Sequence, residues 1–151
     1  MSEEDPIRIY VTHTFSDHPD HARVFEYLES ATNFFYKNCS DPSQLPASGD
    51  ADAVREELRK QIQSAEIMLV PGGMYEEHYD SLKFQMTTAK TGGVPIVALE
   101  LFGGVGEVHR DVTERVLATV GWNEREIVDA IKQYGRGEDT TRYETIEFEM
   151  P

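Results

Sequence analysis

The strongest constraint on the fold is a pair of short apolar runs separated by one helical segment. Residues 67–70 and 94–99 are continuously apolar, and Pro71-Gly72-Gly73 and Gly92-Gly93 bound the helical stretch between them. Runs without polar alternation are typical of strands buried on both faces, as in a parallel sheet covered by helices. The unit is therefore predicted to be strand, crossover helix and parallel strand, with ligands bound beyond the carboxyl ends of the strands.

The same alternation of strands and helices extends over most of the chain. Further strands are predicted at residues 7–12, 33–38 and 116–120, the last of them after a single helical turn. Five strands alternating with helices predict an α/β fold, a three-layer sandwich with a five-stranded parallel sheet. The order of the strands is not contained in this pattern.

Small polar residues mark the predicted helix starts. The expected caps are Asp17 or His18 before Pro19, Asp50 or Asp52, and Asn123. Gly135 is predicted to end the last helix, which gives one domain over residues 1–135 and an acidic tail over residues 136–151. Ile146, Phe148 and Met150 alternate in that tail, so it is expected to be either frayed or an edge strand.

Composition limits the class of protein. The net charge is -14, from 28 acidic and 14 basic residues, and such a surface repels the phosphates of nucleic acids. Abundant carboxylates are equally well explained as an adaptation to a high-salt environment. Cys39 is the only cysteine, and the sequence shows neither a secretory signal nor an apolar segment of about 18 residues. We therefore expect a cytoplasmic protein without membrane or nucleic-acid partners.

Four segments together resemble a known family. They are Tyr10-Val11-Thr12-His13-Thr14, Phe35-Tyr36-Lys37-Asn38-Cys39-Ser40, Leu69-Val70-Pro71-Gly72-Gly73-Met74-Tyr75 and Val120-Gly121-Trp122-Asn123. Over about residues 7–134 the chain resembles the stand-alone TIR-like domains of prokaryotes, including those of the Thoeris antiphage systems. The resemblance implies a flavodoxin-like sheet in the order 2-1-3-4-5.

The family resemblance also implies an activity and partners. Active TIR domains cleave the nicotinamide-ribose bond of NAD and release a signal derived from ADP-ribose, which a downstream effector reads. NAD is then a substrate, no prosthetic group is expected, and a homo-oligomer is expected because a neighbouring protomer usually completes the site. An essential glutamate on the helix after the third strand stabilises the oxocarbenium-like ribose or binds its hydroxyls.

This sequence departs from the family at that glutamate. The alignment of residues 81–90 on the family's helix places Gln85 at the catalytic position, where an amide retains hydrogen bonding but lacks charge. Either a deliberate inactivating substitution or a natural domain that binds without cleaving explains it. A non-enzymatic adaptor that signals by self-association and a nucleoside deoxyribosyltransferase-like enzyme are the alternative functions.

The remaining candidate site residues lie at the predicted carboxyl edge. Those expected to contact the nucleotide are Thr12, His13, Phe15, Tyr36, Gly72, Tyr75 and Ser81. His13 is equally well explained as a loop histidine bonded to backbone. Aromatic residues in strands and adjoining loops, such as Phe15 and Tyr36, are more often part of the core. No metal site is expected, because the five His and one Cys lack the spacing of metal ligands.

Overall fold

The structure, a computed structural model, describes residues 1–16 and 18–140. The strands are β1 (Ile7–Val11), β2 (Tyr36–Asn38), β3 (Ile67–Pro71), β4 (Ile96–Leu99) and β5 (Ala118–Val120). The helices are α1 (Pro19–Glu29), α2 (Ala51–Gln63), α3 (Tyr79–Thr91), α4 (Arg110–Thr113) and α5 (Glu124–Arg136), with a 3-10 turn at Gly72–Met74. None of the helices in these ranges is long and apolar enough to cross a membrane.

All five strands are parallel and follow the order β2-β1-β3-β4-β5. The predicted fold class and strand order are therefore confirmed. β3 lies at the centre and every one of its residues is buried, as its uninterrupted apolar sequence requires.

Helices cover both faces of this sheet. On one face, Val24 of α1 and Ile131 of α5 pack with Ile9 and Leu69. On the other face, residues of α2, α3 and α4 pack with Tyr10, Met68 and Val70. The result is the predicted three-layer sandwich, because alternate residues of each strand point to opposite layers.

The helix starts follow the expected capping. Asp50 accepts a hydrogen bond from Ala53, and Asn123 accepts one from Glu126. His18 caps α1 by accepting the backbone N–H of Asp20 through Nδ1. Asp17, the alternative cap, lies outside the described residues, as do Ile146, Phe148 and Met150 of the tail.

Two local predictions were wrong. Gly135 does not end α5: the helix continues to Arg136, and Gly137 ends it in the left-handed conformation with φ 67°. Gly135 instead allows close packing, because an added Cβ would lie 2.8 Å from Cδ1 of Ile7. The second strand is also shorter than residues 33–38, since only Tyr36–Asn38 pair with β1.

Candidate functional site

A cleft of about 420 Å³ opens at the carboxyl edge of the sheet. After β1 the chain crosses to β2 on one side of the sheet, whereas after β3 it crosses to β4 on the other side. β1 and β3 therefore form the topological switch point, which is where open α/β sheets bind ligands. The cleft is lined by Thr14, Phe15, Val54, Leu58, Glu77, His78, Tyr79, Asp80 and Ser81. Its volume falls within the range of about 300 to 1,000 Å³ usual for small-molecule sites.

Phe15 occupies the cleft wall in an unusual backbone conformation. Its φ is 59°, in the left-handed region that bulky residues rarely adopt. The backbone N–H of Phe15 donates to Nδ1 of His13 at 3.2 Å, and the two rings meet edge to face at 4.9 Å between centroids. His13 therefore holds Phe15 at the cleft.

Gln85 lies beneath the cleft and is completely buried. Its Oε1 accepts the hydroxyl of Tyr10 at 2.6 Å and the backbone N–H of His13 at 3.3 Å. Its Nε2 donates to the backbone carbonyl of His13 at 2.7 Å and to Oγ of Ser81 at 3.0 Å. All four hydrogen-bonding positions of the amide are used.

The partners of Gln85 fix the orientation of its amide. One residue, His13, offers a donor and an acceptor to the two ends of the amide, so Oε1 must face the N–H and Nε2 the carbonyl. A carboxylate has no proton for that carbonyl. The surroundings of position 85 are therefore matched to a neutral amide, which reaches the cleft through the Ser81 hydroxyl.

Gln61 on α2 holds the side chain of His13. Its Oε1 accepts the backbone N–H of Asp41 at 2.9 Å and its Nε2 donates to the Asp41 carbonyl at 3.2 Å, which fixes this amide as well. His13 Nε2, 2.8 Å from Oε1 of Gln61, must therefore carry the proton. Burial lowers the pKa of the His13 imidazole below its ordinary value, against the raising effects of the Gln61 bond, Asp41 and Glu57. The ring is thus neutral, with Nδ1 free to accept.

Sequence reasoning missed Gln61. The residue is buried and lies between Leu58 and Ile62 on the inward face of α2. The available signal was a polar side chain three residues after Leu58, within the apolar stripe of the helix. A polar group that is buried at such a position requires a hydrogen-bonding partner.

The structure brings four of the predicted site residues together, places a fifth beside them, and places the other three elsewhere. His13, Phe15, Ser81 and Gln85 form the cleft wall and its base. Thr12 is buried beside this group, with its hydroxyl directed to the sulfur of Met74.

Tyr36, Gly72 and Tyr75 do not line the cleft. Tyr36 pairs with Ile7 at the amino end of β1 and donates its hydroxyl to Glu29. A Cβ at Gly72 would lie 2.8 Å from the Leu99 carbonyl oxygen, so this glycine permits close packing.

Tyr75 is buried and donates its hydroxyl to Oδ2 of Asp111 at 2.6 Å. Burial, with that bond and the charge of Asp111, raises the pKa of Tyr75 to about 12. Its side chain faces a neighbouring depression that Lys83 and His109 also line.

The cleft is acidic. Glu77 and Asp80 lie in its wall, and no Lys or Arg is among the described residues that line it. Glu77 lies in the turn that precedes α3 and pairs with Nε2 of His18 at 2.9 Å. Carboxylates in this position favour a cationic or neutral ring over a bare phosphate.

Within residues 1–16 and 18–140, no group of three or more His, Cys, Asp or Glu side chains is arranged to hold a metal ion. No family model matches the chain, and no curated protein is significantly similar to it.

Proposed function

We propose that the cleft binds NAD or a related ribosyl nucleotide and holds it without cleaving it. The observation that carries this proposal is the buried, fully bonded amide of Gln85 at the base of a cleft at the sheet's switch point. This amide holds the Ser81 hydroxyl at the cleft and offers no charge to a reaction. The resemblance to TIR-like domains supplies the class of ligand.

The cleft side chains suit the nicotinamide and ribose end of such a ligand. Phe15 and the 52% exposed ring of Tyr79 offer surfaces for stacking on the nicotinamide. Glu77 and Asp80 attract the positive charge of its pyridinium ring. The hydroxyl of Ser81, held by Gln85, is available to the ribose.

Charge explains the absence of turnover in this proposal. Departure of nicotinamide leaves positive charge on the ribose, and a carboxylate directed at that charge is worth on the order of 3 to 4 kcal/mol, or a hundredfold to a thousandfold in rate. Gln85 provides only an amide. Gln85→Glu should therefore increase nicotinamide release, measured by chromatography.

Calorimetry tests the binding step. NAD is titrated into the parent protein, into Phe15→Ala, and into Phe102→Ala as the matched control. Phe102 lies at the same edge outside the cleft and is 41% exposed, stacked under Arg23. Phe15→Ala should weaken binding by about tenfold, equivalent to about 1.4 kcal/mol, whereas Phe102→Ala should not.

Two outcomes would contradict the proposal. If neither the parent nor Gln85→Glu binds NAD, and Gln85→Glu releases no nicotinamide, a self-associating adaptor becomes the better explanation. If the parent binds deoxynucleosides in preference to NAD, the deoxyribosyltransferase-like alternative is favoured.

A further inference from the structure

We infer that His13 is a proton-sensitive latch for Phe15, so that protonation of this one imidazole releases the Phe15 wall of the cleft. The inference concerns the regulation of the cleft rather than its ligand. Its consequence for nucleotide binding rests on the proposed function, whereas the latch itself is measured without any ligand.

The latch depends on a single acceptor atom. His13 Nε2 carries the ring proton because Gln61 offers it an oxygen, which leaves Nδ1 to accept the N–H of Phe15 at 3.2 Å. A second proton on the ring would occupy Nδ1. Two N–H donors would then face each other at this distance, and the bond would be replaced by repulsion.

The backbone of Phe15 supplies the force that opens the latch. Its φ of 59° is a strained conformation for a bulky L-residue, and the hydrogen bond to His13 is what holds it. Once the bond is lost, the segment relaxes toward negative φ. Phe15 then leaves the wall of the cleft, and Thr14 moves with it.

The groups around the imidazole determine where it titrates. Tyr10 on β1 faces the ring, and burial raises its pKa well above the ordinary value, so it remains neutral. Asp41 after β2 and Glu57 on α2 favour the charged ring, whereas burial opposes it more strongly. On α3, Gln85 bonds the backbone of His13 and Ser81 bonds Gln85, and neither side chain carries a charge.

His21 on α1 is the second histidine beside the ring, with the two ring centroids 5.9 Å apart. Burial, followed by the charges of His13 and His18, lowers the pKa of His21 to about 4. Two histidines therefore titrate in one region below pH 6.5, and a test must separate them.

Nuclear magnetic resonance of the full chain makes that separation. Nitrogen shifts of the His13 ring at about pH 7.5 should show the proton on Nε2. As the pH is lowered through the His13 midpoint, the Phe15 amide should change shift along the His13 titration curve, and its hydrogen exchange should accelerate by about tenfold beyond the intrinsic rate. His21→Gln should leave this transition in place.

Two substitutions of His13 distinguish a latch from a structural histidine. In His13→Asn the side-chain oxygen stands in the place of Nδ1 and still accepts an N–H two residues on, but it does not titrate. This variant should hold Phe15 at every pH. His13→Phe keeps a planar ring without an acceptor and should show a released Phe15 at every pH.

The inference is overturned if His13 carries its proton on Nδ1 at neutral pH, if Phe15 is unchanged while His13 titrates, or if His13→Asn shows the same transition as the parent. Calorimetry with NAD at about pH 7.5 and at a pH below the His13 midpoint adds the functional arm, with affinity expected to fall about tenfold in the parent and to hold in His13→Asn. Loss of NAD binding at both pH values would refute the proposed function. The latch would then be tested by the magnetic resonance measurements alone.

Discussion

Gln85→Glu is expected to destabilise the fold by an amount that increases with pH. The substitution keeps the size of the side chain. It also keeps an oxygen that accepts hydrogen bonds from the Tyr10 hydroxyl and the His13 N–H. It replaces the Nε2 donor with a carboxylate oxygen that faces the His13 carbonyl oxygen at 2.7 Å. One buried carbonyl loses its hydrogen bond and meets a like partial charge instead.

The size of the effect follows from those contacts. A buried carbonyl left without a donor costs about 1 to 3 kcal/mol, and the burial of a carboxylate in a fully enclosed site adds to that. Donation from Tyr10 and the His13 N–H to a charged acceptor returns part of the cost. We expect a net loss of about 3 kcal/mol at pH 7.

The pH dependence has a definite sign. A protonated carboxyl at position 85 donates to the His13 carbonyl and restores the lost bond, so the folded state binds this proton more tightly than the unfolded state. Stability is therefore closest to that of the parent at acidic pH, where both states are protonated. It is lost as the pH rises above the ordinary pKa of glutamate, because the unfolded state then releases the proton first.

Urea denaturation at about pH 4.5, 6 and 7.5 measures this difference between variant and parent. Gln63→Glu is the matched control, because Gln63 is exposed at the end of α2 and the same chemical change there should cost less than about 0.5 kcal/mol. A penalty for Gln85→Glu that stays below about 0.5 kcal/mol, or that does not vary with pH, would refute the assigned amide orientation.

Four further predictions concern the fold and its assembly. Because the pKa of His21 is lowered to about 4, its contribution to the free energy of unfolding should be fully present above pH 6.5 and should fall by about 2 kcal/mol as the pH falls toward 4. Urea denaturation of His21→Gln should therefore show a flatter dependence of stability on pH. Leu69→Asp should cost more than about 4 kcal/mol in thermal melts, because Leu69 is 1% exposed, whereas Leu117→Asp at a 60% exposed position should cost less than about 0.5. Gly135→Ala should destabilise by about 1 to 2 kcal/mol despite alanine's higher helix propensity, and removal of the opposing Cδ1 by Ile7→Val should recover most of that loss. If the chain self-associates as its resemblance to TIR-like domains implies, light scattering should show association strengthening with salt, since salt screens a net charge of -14; a monomer at every salt and nucleotide concentration would contradict it.

Local patterns in the sequence were sufficient for the elements and for the class of fold. The continuous apolar character of residues 67–70 identified the central strand, because only burial on both faces allows it. Asp50 and Asn123 identified helix starts because capping is a contact between neighbours in sequence. The prediction that Gly135 ends the last helix was wrong, because the sequence does not distinguish a glycine that ends a helix from one that permits close packing. Only the contact with Ile7 shows that Gly135 is of the second kind.

The candidate site depended on contacts between distant parts of the chain. His13 and Phe15 lie at the carboxyl edge of the sheet, as predicted, because the backbone places there any residue that directly follows β1. The direction of the Tyr36 and Tyr75 hydroxyls was not predictable, because each bonds a carboxylate that the tertiary fold brings to it.

The bonding of Gln85 and Gln61 was decided by the tertiary structure alone. Gln85 bonds residues 72 and 75 positions away, and Gln61 bonds His13 across 48 positions. The resemblance to TIR-like domains predicted Gln85 as a site residue that lacks the charge of a glutamate. The Gln85 amide is hydrogen-bonded at both ends, and Gln61 sets the tautomer of His13. Both contacts follow only from the packing of α2 and α3 against β1, because the hydrogen bonds of a buried polar group depend on the partners that surround it.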